Sequence, residues 1–396
     1  MTGPISARLC FVAPRAYGVL SGRSEIRHQG GAERQQLLLA RELVRLGYVV
    51  SFVTYDHGQP DGEELDAGIR VFKAYRRDRG VPLLRFLHPR LTGLWAAMAR
   101  ADAQIYYQRG AEAETGLVAG WCRRNHRRFV FAAAHDGDFQ RDLRFLESRR
   151  ERVLYRYGLR TADLIVAQTR QQQQLLRAEF GFESAVVRSC WSAPAETPGA
   201  RSGNGSDTPP TALWVGRLTP EKRPEWIVAL ARDLPQHRFE VVGHANVGSA
   251  HAARIAAELS AQPNVAWHGY LPHHRLAEVY SRAAVLVCTS ESEGFPNVFL
   301  EAWGQAVPTL STVDPDGLIA QHRLGGVASS YEELRTALAE ALGEGAPWRE
   351  RGRRAAAYVR AQHAPAASAQ ALSALLRELV SRAGSGASRP RGGGRV

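Results

Sequence analysis

Lysine is scarce in this chain. Of 51 basic residues only Lys73 and Lys222 are lysines, so 51 − 2 = 49 are arginines. A composition that has drifted this far toward arginine should have converted any lysine needed only for its positive charge. Lys222, within "VGRLTPEKRP", is therefore a candidate for chemistry that arginine performs poorly. An ammonium is a compact point charge, whereas a guanidinium is planar and calls for a fork of acceptors. Arg217 stands in the same stretch. About seventy residues later comes "SESEGFPNVFLEAWGQAVP", with Glu293 just before a helical run and Glu301 inside it. Gly294 and Pro296 mark the start of that run, and the N–H groups and dipole of a helix N-terminus favour an anion. Two cations and a helix N-terminus suit a diphosphate.

These residues need a scaffold that brings loops together, and the rest of the sequence predicts one. "RLCFVAP" (8–14) reads as a buried strand, and "GGAERQQLLLARELVRLGY" (30–48) as a helix with Leu38, Leu39, Leu43 and Leu46 on one face. "VVSFVTY", "IRVFKAY", "QIYYQR", "RFVFAAA" and "DLIVAQT" follow as strands, most of them separated by helix-length segments. Such alternation builds βαβ units and a parallel sheet. Residues 192–211, rich in Pro, Gly and Ser, read as a linker. The rhythm then restarts with "TALWVGRL", "RFEVVGH", "NVAWHGYL", "AVLVCTS" and "VPTLS". The expected class is α/β, with two doubly wound Rossmann-like domains at 1–191 and 212–363. Residues 346–382 read as helical, and 383–396 as a disordered tail. Open parallel sheets bind ligands beyond the carboxyl ends of their strands, which is where Arg217 and Lys222 fall.

Composition narrows the classes. At 396 residues the chain suits two domains, and 44% hydrophobic with 23% charged residues is the composition of a folding chain. No secretory leader or stretch of eighteen apolar residues is visible, so a cytoplasmic protein without a membrane span is expected. Cys10, Cys122, Cys190 and Cys288 lie far apart, without metal-knuckle or disulfide spacing. The net charge of +12 is uneven: residues 1–190 carry 30 basic and 20 acidic residues, and 191–396 carry 21 and 19. A basic first half points to nucleic acid, an anionic membrane or an acidic substrate, and arginine-rich codon usage explains it equally well.

The two rim motifs, in this order and at this separation, strongly resemble the donor domain of glycosyltransferase family 4, retaining enzymes of the GT-B fold that use nucleotide sugars. "GGAERQQLLLARELVRLGYVVSFVT" is similar to that family's opening glycine loop and helix, and "ADLIVAQTRQQQQLLRAEFG" to its last N-domain strand and helix. The resemblance spans roughly 8–345. It implies two Rossmann-like domains facing across a cleft, with a C-terminal helix (364–382) crossing back to the first. It also assigns roles. Arg217 and Lys222 would hold the leaving diphosphate, neutralising charge that grows as the glycosidic bond breaks. Glu301 would accept from the ribose hydroxyls, and Glu293 would contact the transferred sugar near the reacting carbon. Backbone N–H groups of Gly294, Phe295, Pro296, Asn297 and Val298, the proline excepted, would face the diphosphate or sugar. Gly30 and Gly31 would let the backbone approach the donor phosphates. His135, beyond a strand end in "FAAAHDGDF", would meet the outer sugar hydroxyls. Asp136 and Asp138 would orient His135 or the acceptor, and Arg109 would contact the acceptor. No metal or cofactor is required.

The expected reaction is retaining transfer of a sugar from a nucleotide diphosphate to a polysaccharide-precursor or lipid-linked acceptor, with peripheral attachment to the inner face of the membrane left open. Plainer readings stay beside it. Glu293 and Glu301 also suit a helix start, His135 a strand end, and Gly30–Gly31 a simple turn, because the loop does not spell G-x-G-x-x-G. "PLLRFLHPRLTGLWAAM" reads as a helix packed on the sheet, although Arg85, Arg90 and Arg100 also suit a membrane surface. The chain departs from the family pattern at Ala306, where a glycine usually precedes "VP", which places that helix end in question. A sugar-nucleotide epimerase of similar fold and a basic nucleic-acid binder are the competing classes. The second lacks any recognisable nucleic-acid motif.

Overall fold

The computed structural model describes residues 7–23, 26, 30–81, 84–193, 209–244, 248–343 and 345–384. Most of the 192–211 linker and nearly all of the 383–396 tail lie outside the described residues. The chain divides into two compact units, Met1–Cys190 with Pro365–Val396, and Trp191–Ala364.

In the first unit the strands are β1 (Arg8–Val12), β2 (Val49–Thr54), β3 (Glu63–Leu65), β4 (Ile69–Lys73), β5 (Ile105–Arg109), β6 (Arg128–Ala132), β7 (Leu164–Ala167) and β8 (Ala185–Val186). They form one sheet in the order β3-β4-β2-β1-β5-β6-β7-β8. All neighbours are parallel except β3, an antiparallel edge on β4. The alternation of β1 shows why both faces are covered. Leu9 and Phe11 enter one core with Leu38, Leu39 and Leu43 of the helix Gly31–Arg45, while Cys10 and Val12 enter the other with Leu94, Met98, Leu117 and Val118. A strand buried on both faces reads as a continuous apolar run, as "LCFV" does.

The helix Pro365–Gly384 belongs to this unit: Ala369, Leu372 and Leu376 are fully buried in the core of the helix Gly31–Arg45, and Tyr48 Oη lies 3.0 Å from Ser373 Oγ. The helical reading of 346–382 thus resolves into two helices, Gly345–Gln362 and Pro365–Gly384, because Pro365 supplies no N–H and starts a new helix. The reading of "PLLRFLHPRLTGLWAAM" as a single helix is also corrected. An irregular turn covers Phe86–Leu91, with His88 outside helical geometry before Pro89, and a regular helix runs only over Thr92–Ala101.

The helices Ala113–Arg124 and Arg149–Thr161 cross at two glycines. A Cβ on Gly116 would come within 2.3 Å of the Leu154 carbonyl oxygen, and one on Gly158 within 2.7 Å of Thr115 backbone. The second helix starts with a capping box: Glu151 N–H donates to Ser148 Oγ, and Ser148 N–H to the Glu151 carboxylate, 3.2 Å each.

The second unit contains β9 (Thr211–Val215), β10 (Arg238–Val242), β11 (Val265–Trp267), β12 (Ala283–Cys288), β13 (Thr309–Ser311) and β14 (Gly325–Val327), all parallel, in the order β11-β10-β9-β12-β13-β14. Ala212 and Trp214 of β9 face one core, and Leu213 with Val215 face the other. Strand order reverses between β9 and β12, so the loops after these two strands border the switch crevice where α/β sheets bind ligands. Ala306 adopts φ 56°, the left-handed conformation that a glycine takes without strain, and its N–H donates to Trp303 O to close the helix Asn297–Gly304. The alanine therefore keeps the helix end that glycine would give, at a cost in local strain.

All four cysteines are free and buried. Among the described residues no helix is long and apolar enough to cross a membrane.

Candidate active site

The loop after β9 runs from Gly216 to a short turn at Pro220–Lys222, and the loop after β12 runs from Thr289 to Pro296. Arg223 ties the two together. It sits at φ 45°, donates from Nε to Thr289 O (2.6 Å) and from its terminal nitrogen to Ser290 O (3.0 Å), and lies 4.1 Å over the Trp226 ring. Thr289 Oγ1 donates to Lys222 O at 2.6 Å and accepts from Trp214 Nε1 at 3.0 Å, and Glu291 N–H donates to Glu221 O at 2.9 Å. A non-glycine residue held at positive φ by this many bonds marks a loop whose shape is over-determined. The consequence is a fixed rim.

On that rim Lys222 Nζ donates to Glu293 Oε1, which also accepts from Ser290 Oγ at 2.7 Å. The two charged side chains are only 19% and 10% exposed. Arg217 is 58% exposed and pairs with Glu221 at 3.2 Å. Exposed pairs of that kind contribute at most about 1 kcal/mol, so an arriving dianion can displace Glu221 from Arg217. Glu301 accepts from Tyr280 Oη at 2.9 Å, with His273 Nε2 at 3.2 Å from its other oxygen. Burial, then the neighbouring carboxylate, holds the Tyr280 phenol well above its ordinary range, so it stays a donor. The helix that carries Glu301 is capped at its N-terminus by Pro296 without a side-chain hydrogen bond.

Sequence reasoning thus found Arg217, Lys222, Glu293 and Glu301 on one sheet's carboxyl side, with Gly294 to Val298 on the loop and first helical turn between the two glutamates. It missed Arg223, Thr289, Ser290, Tyr280 and His273. Only Arg223 and Ser290 carried a signal, because each sits inside one of the two rim motifs.

In the first unit His135 precedes the short turn Asp136–Phe139, and its Nδ1 accepts from Gly137 N–H at 3.0 Å. Asp138 is corrected as an acceptor contact. It is 6% exposed, and its oxygens accept the N–H groups of Ala111 (3.2 Å), Ala134 (2.6 Å) and His135 (3.1 Å). That bonding fixes the loop under His135, the other role foreseen for it. Asp136 lies on the same turn. Arg109, at the end of β5, is half-buried, with Nε buried and unpaired among the described residues. Gly30 caps the helix that begins at Gly31, and the Glu33 carboxylate occupies the place of a Cβ on Gly30, 2.1 Å away. The open side of that glycine therefore faces the helix's own carboxylate.

Two Rossmann-like sheets, with a cationic rim at the switch point of the second, define a chain of the GT-B class. The chain belongs to the glycosyltransferases of group 1: residues 200–342 match the family described as glycosyl transferases group 1, and residues 30–191 match the glycosyl transferase 4-like domain. Among solved structures it is similar to sucrose-phosphate synthase from Thermosynechococcus elongatus, with 19% identity, a TM-score of 0.76, and coverage of 95% of this chain and 100% of that one. The catalytic domain of starch synthase IV from Arabidopsis thaliana, solved with ADP and acarbose, gives 13% identity and a TM-score of 0.70 over 95% and 100% of the two chains. At these identities the likeness shows the fold. A curated relative, the UDP-N-acetylglucosamine–peptide N-acetylglucosaminyltransferase GtfA subunit of Streptococcus pneumoniae, is 25% identical over 160 residues, 39% of this chain and 31% of that protein. The match spans about a third of the relative's length.

Proposed function

We propose that the protein is a retaining glycosyltransferase that moves a sugar from a nucleotide diphosphate donor to a polysaccharide-precursor or lipid-linked acceptor. The observation that carries this reading is Lys222, one of two lysines in the chain, at the switch crevice of the second unit in contact with Glu293. Lys222 and Arg217 are assigned to the diphosphate, with the N–H groups at the start of the helix Asn297–Gly304. Negative charge builds on the leaving phosphate as the glycosidic bond lengthens, and preset cations stabilise that state more than the ground state. Glu301 is assigned to the ribose hydroxyls and Glu293 to the sugar. The departing phosphate oxygen takes the acceptor hydroxyl's proton on the same face, which retains the anomeric configuration. The scheme gives no role to a metal ion, because the two side-chain cations supply the neutralisation. In the first unit, His135 is assigned to sugar hydroxyls and Arg109 to the acceptor. Four buried thiols suit a reducing cytoplasm.

The test is thermal stabilisation by a panel of nucleoside diphosphates and nucleotide sugars. A ligand at 100 times its Kd stabilises the native state by about 2.7 kcal/mol. One base should raise the melting temperature clearly above the rest; a flat panel overturns the assignment.

Attachment to an anionic membrane has its own support in the first unit. Arg149, Val153, Arg156 and Arg160 are exposed at helical spacing on one face, and Val153 is 65% exposed. The Arg150 guanidinium lies 4.0 Å over Phe86, which joins this face to a segment that exposes Leu84 and Leu87. Arginines interleaved with exposed apolar side chains suit an acidic headgroup layer. Vesicles containing phosphatidylglycerol should sediment the protein where phosphatidylcholine alone does not. Replacing Arg149, Arg156 and Arg160 with Gln should lower partition on the order of 100-fold, at about 1 kcal/mol per arginine. Equal partition onto both vesicles would refute the attachment.

A further inference from the structure

We propose that a cavity at the carboxyl ends of β1, β2 and β4 binds a saccharide carrying an anionic group, a phosphate or a carboxylate. Its role as the acceptor rests on the transferase reading; the binding itself does not. The cavity has a volume of about 380 Å³ and is lined by Arg15 beyond β1, by Tyr55, Asp56 and His57 beyond β2, and by Arg76, Arg77 and Asp78 beyond β4. In the strand order β4-β2-β1-β5 it lies to one side of the switch between β1 and β5.

Its walls are held by backbone. Tyr55 N–H donates to Pro14 O (2.7 Å), Asp56 N–H to Tyr75 O (2.9 Å) and Ala74 N–H to Thr54 O (2.8 Å). Gln59, 1% exposed, donates from Nε2 to Tyr55 O (2.8 Å) and Thr54 Oγ1 (3.1 Å) beneath them. A site on fixed backbone loses little entropy on binding.

The charges favour an anion. Arg77 has no ion-pair partner among the described residues. Arg76 reaches Asp78 at 3.4 Å in a pair exposed on both sides, which is weak. Arg15 pairs with Glu112 at 3.0 Å and also feels the carboxylates of Glu33 and Glu114, so the uncountered positive charge rests on Arg76 and Arg77. Forked guanidinium groups match a phosphate or carboxylate in two-point contacts. A lone phosphate would leave most of the cavity unfilled, whereas a monosaccharide suits pockets of this size. The Asp56 and Asp78 carboxylates supply acceptors for sugar hydroxyls. Asp56 is held in place by a 2.8 Å bond from Gly58 N–H to Oδ1.

Calorimetry with glucose 6-phosphate, glucuronate and glucose tests this, because the three share a ring and differ at one substituent. Each is titrated with and without the nucleotide that best stabilises the protein, which keeps the donor site out of the signal. At least one charged sugar should bind about tenfold or more tighter than glucose, and Arg76→Ala with Arg77→Ala should abolish that preference while nucleotide stabilisation persists. Which charged sugar binds tells phosphate from carboxylate. Arg77→Gln alone replaces the double variant if the latter melts early. Equal binding of all three sugars, or charged-sugar binding that survives loss of Arg77, overturns the proposal. Nucleotide stabilisation without any charged-sugar binding also overturns it and leaves the transferase reading intact; the reverse result removes the transferase reading alone.

Discussion

Lys222→Ala should lower kcat by roughly 100- to 1,000-fold, the usual cost of removing one preset group that stabilises transition-state charge. Two effects act together. The ammonium no longer meets the leaving diphosphate, and Glu293, 10% exposed and paired with Lys222, is left as an uncompensated carboxylate beside the incoming anion. Donor affinity should therefore fall along with the chemical step. Lys222→Arg is the informative companion. The longer guanidinium keeps the charge but has to fit under a rim already stitched by Arg223 and Thr289, so activity should stay well below the parent. Combining Lys222→Ala with Glu293→Gln should recover nucleotide affinity without recovering kcat, which separates the repulsion from the lost cation. The readouts are single-turnover rate, nucleotide Kd and melting temperature. Parental kcat in Lys222→Ala at an unchanged melting temperature would take the residue out of the chemistry.

The central strands of both sheets were legible because they are buried on both faces. "LCFV", "ALWV" and "AVLVC" are apolar runs bounded by polar or glycine-containing turns, and each is a strand in a parallel sheet. The strands not foreseen, β3, β8 and β14, have three, two and three residues and lie at sheet edges, where no periodicity can accumulate. The rim cations and paired glutamates were legible from type and spacing. Their partners were not, because Tyr280 and His273 reach Glu301 from another helix, a contact that depends on tertiary packing. Ala306 shows the limit of reading one residue at a time. Its type argues against a left-handed helix end, and the surrounding bonds impose one.

Charge was the least legible feature, and Arg90 shows why. In the sequence Arg85, Arg90 and Arg100 look alike, three arginines flanking an apolar run. In the fold Arg85 is exposed, Arg100 binds Asp61 at 2.7 Å, and Arg90 makes a two-pronged contact with the Glu114 carboxylate at 2.8 and 2.9 Å. Glu114 is only 2% exposed and also accepts from Tyr75 Oη at 3.3 Å. Replacing Arg90 with leucine should destabilise the first unit by about 3–5 kcal/mol, because a buried carboxylate loses its counter-charge. For a unit of this size that corresponds to a fall in melting temperature of roughly 10 °C. Arg90→Leu with Glu114→Leu removes both charges and should regain much of the loss, since a buried ion pair and an apolar pair of similar volume are often close in stability. Thermal melts of the parent, Arg90→Leu and the double variant decide the matter. An Arg90→Leu variant as stable as the parent would mean that Glu114 reaches solvent, contrary to its burial.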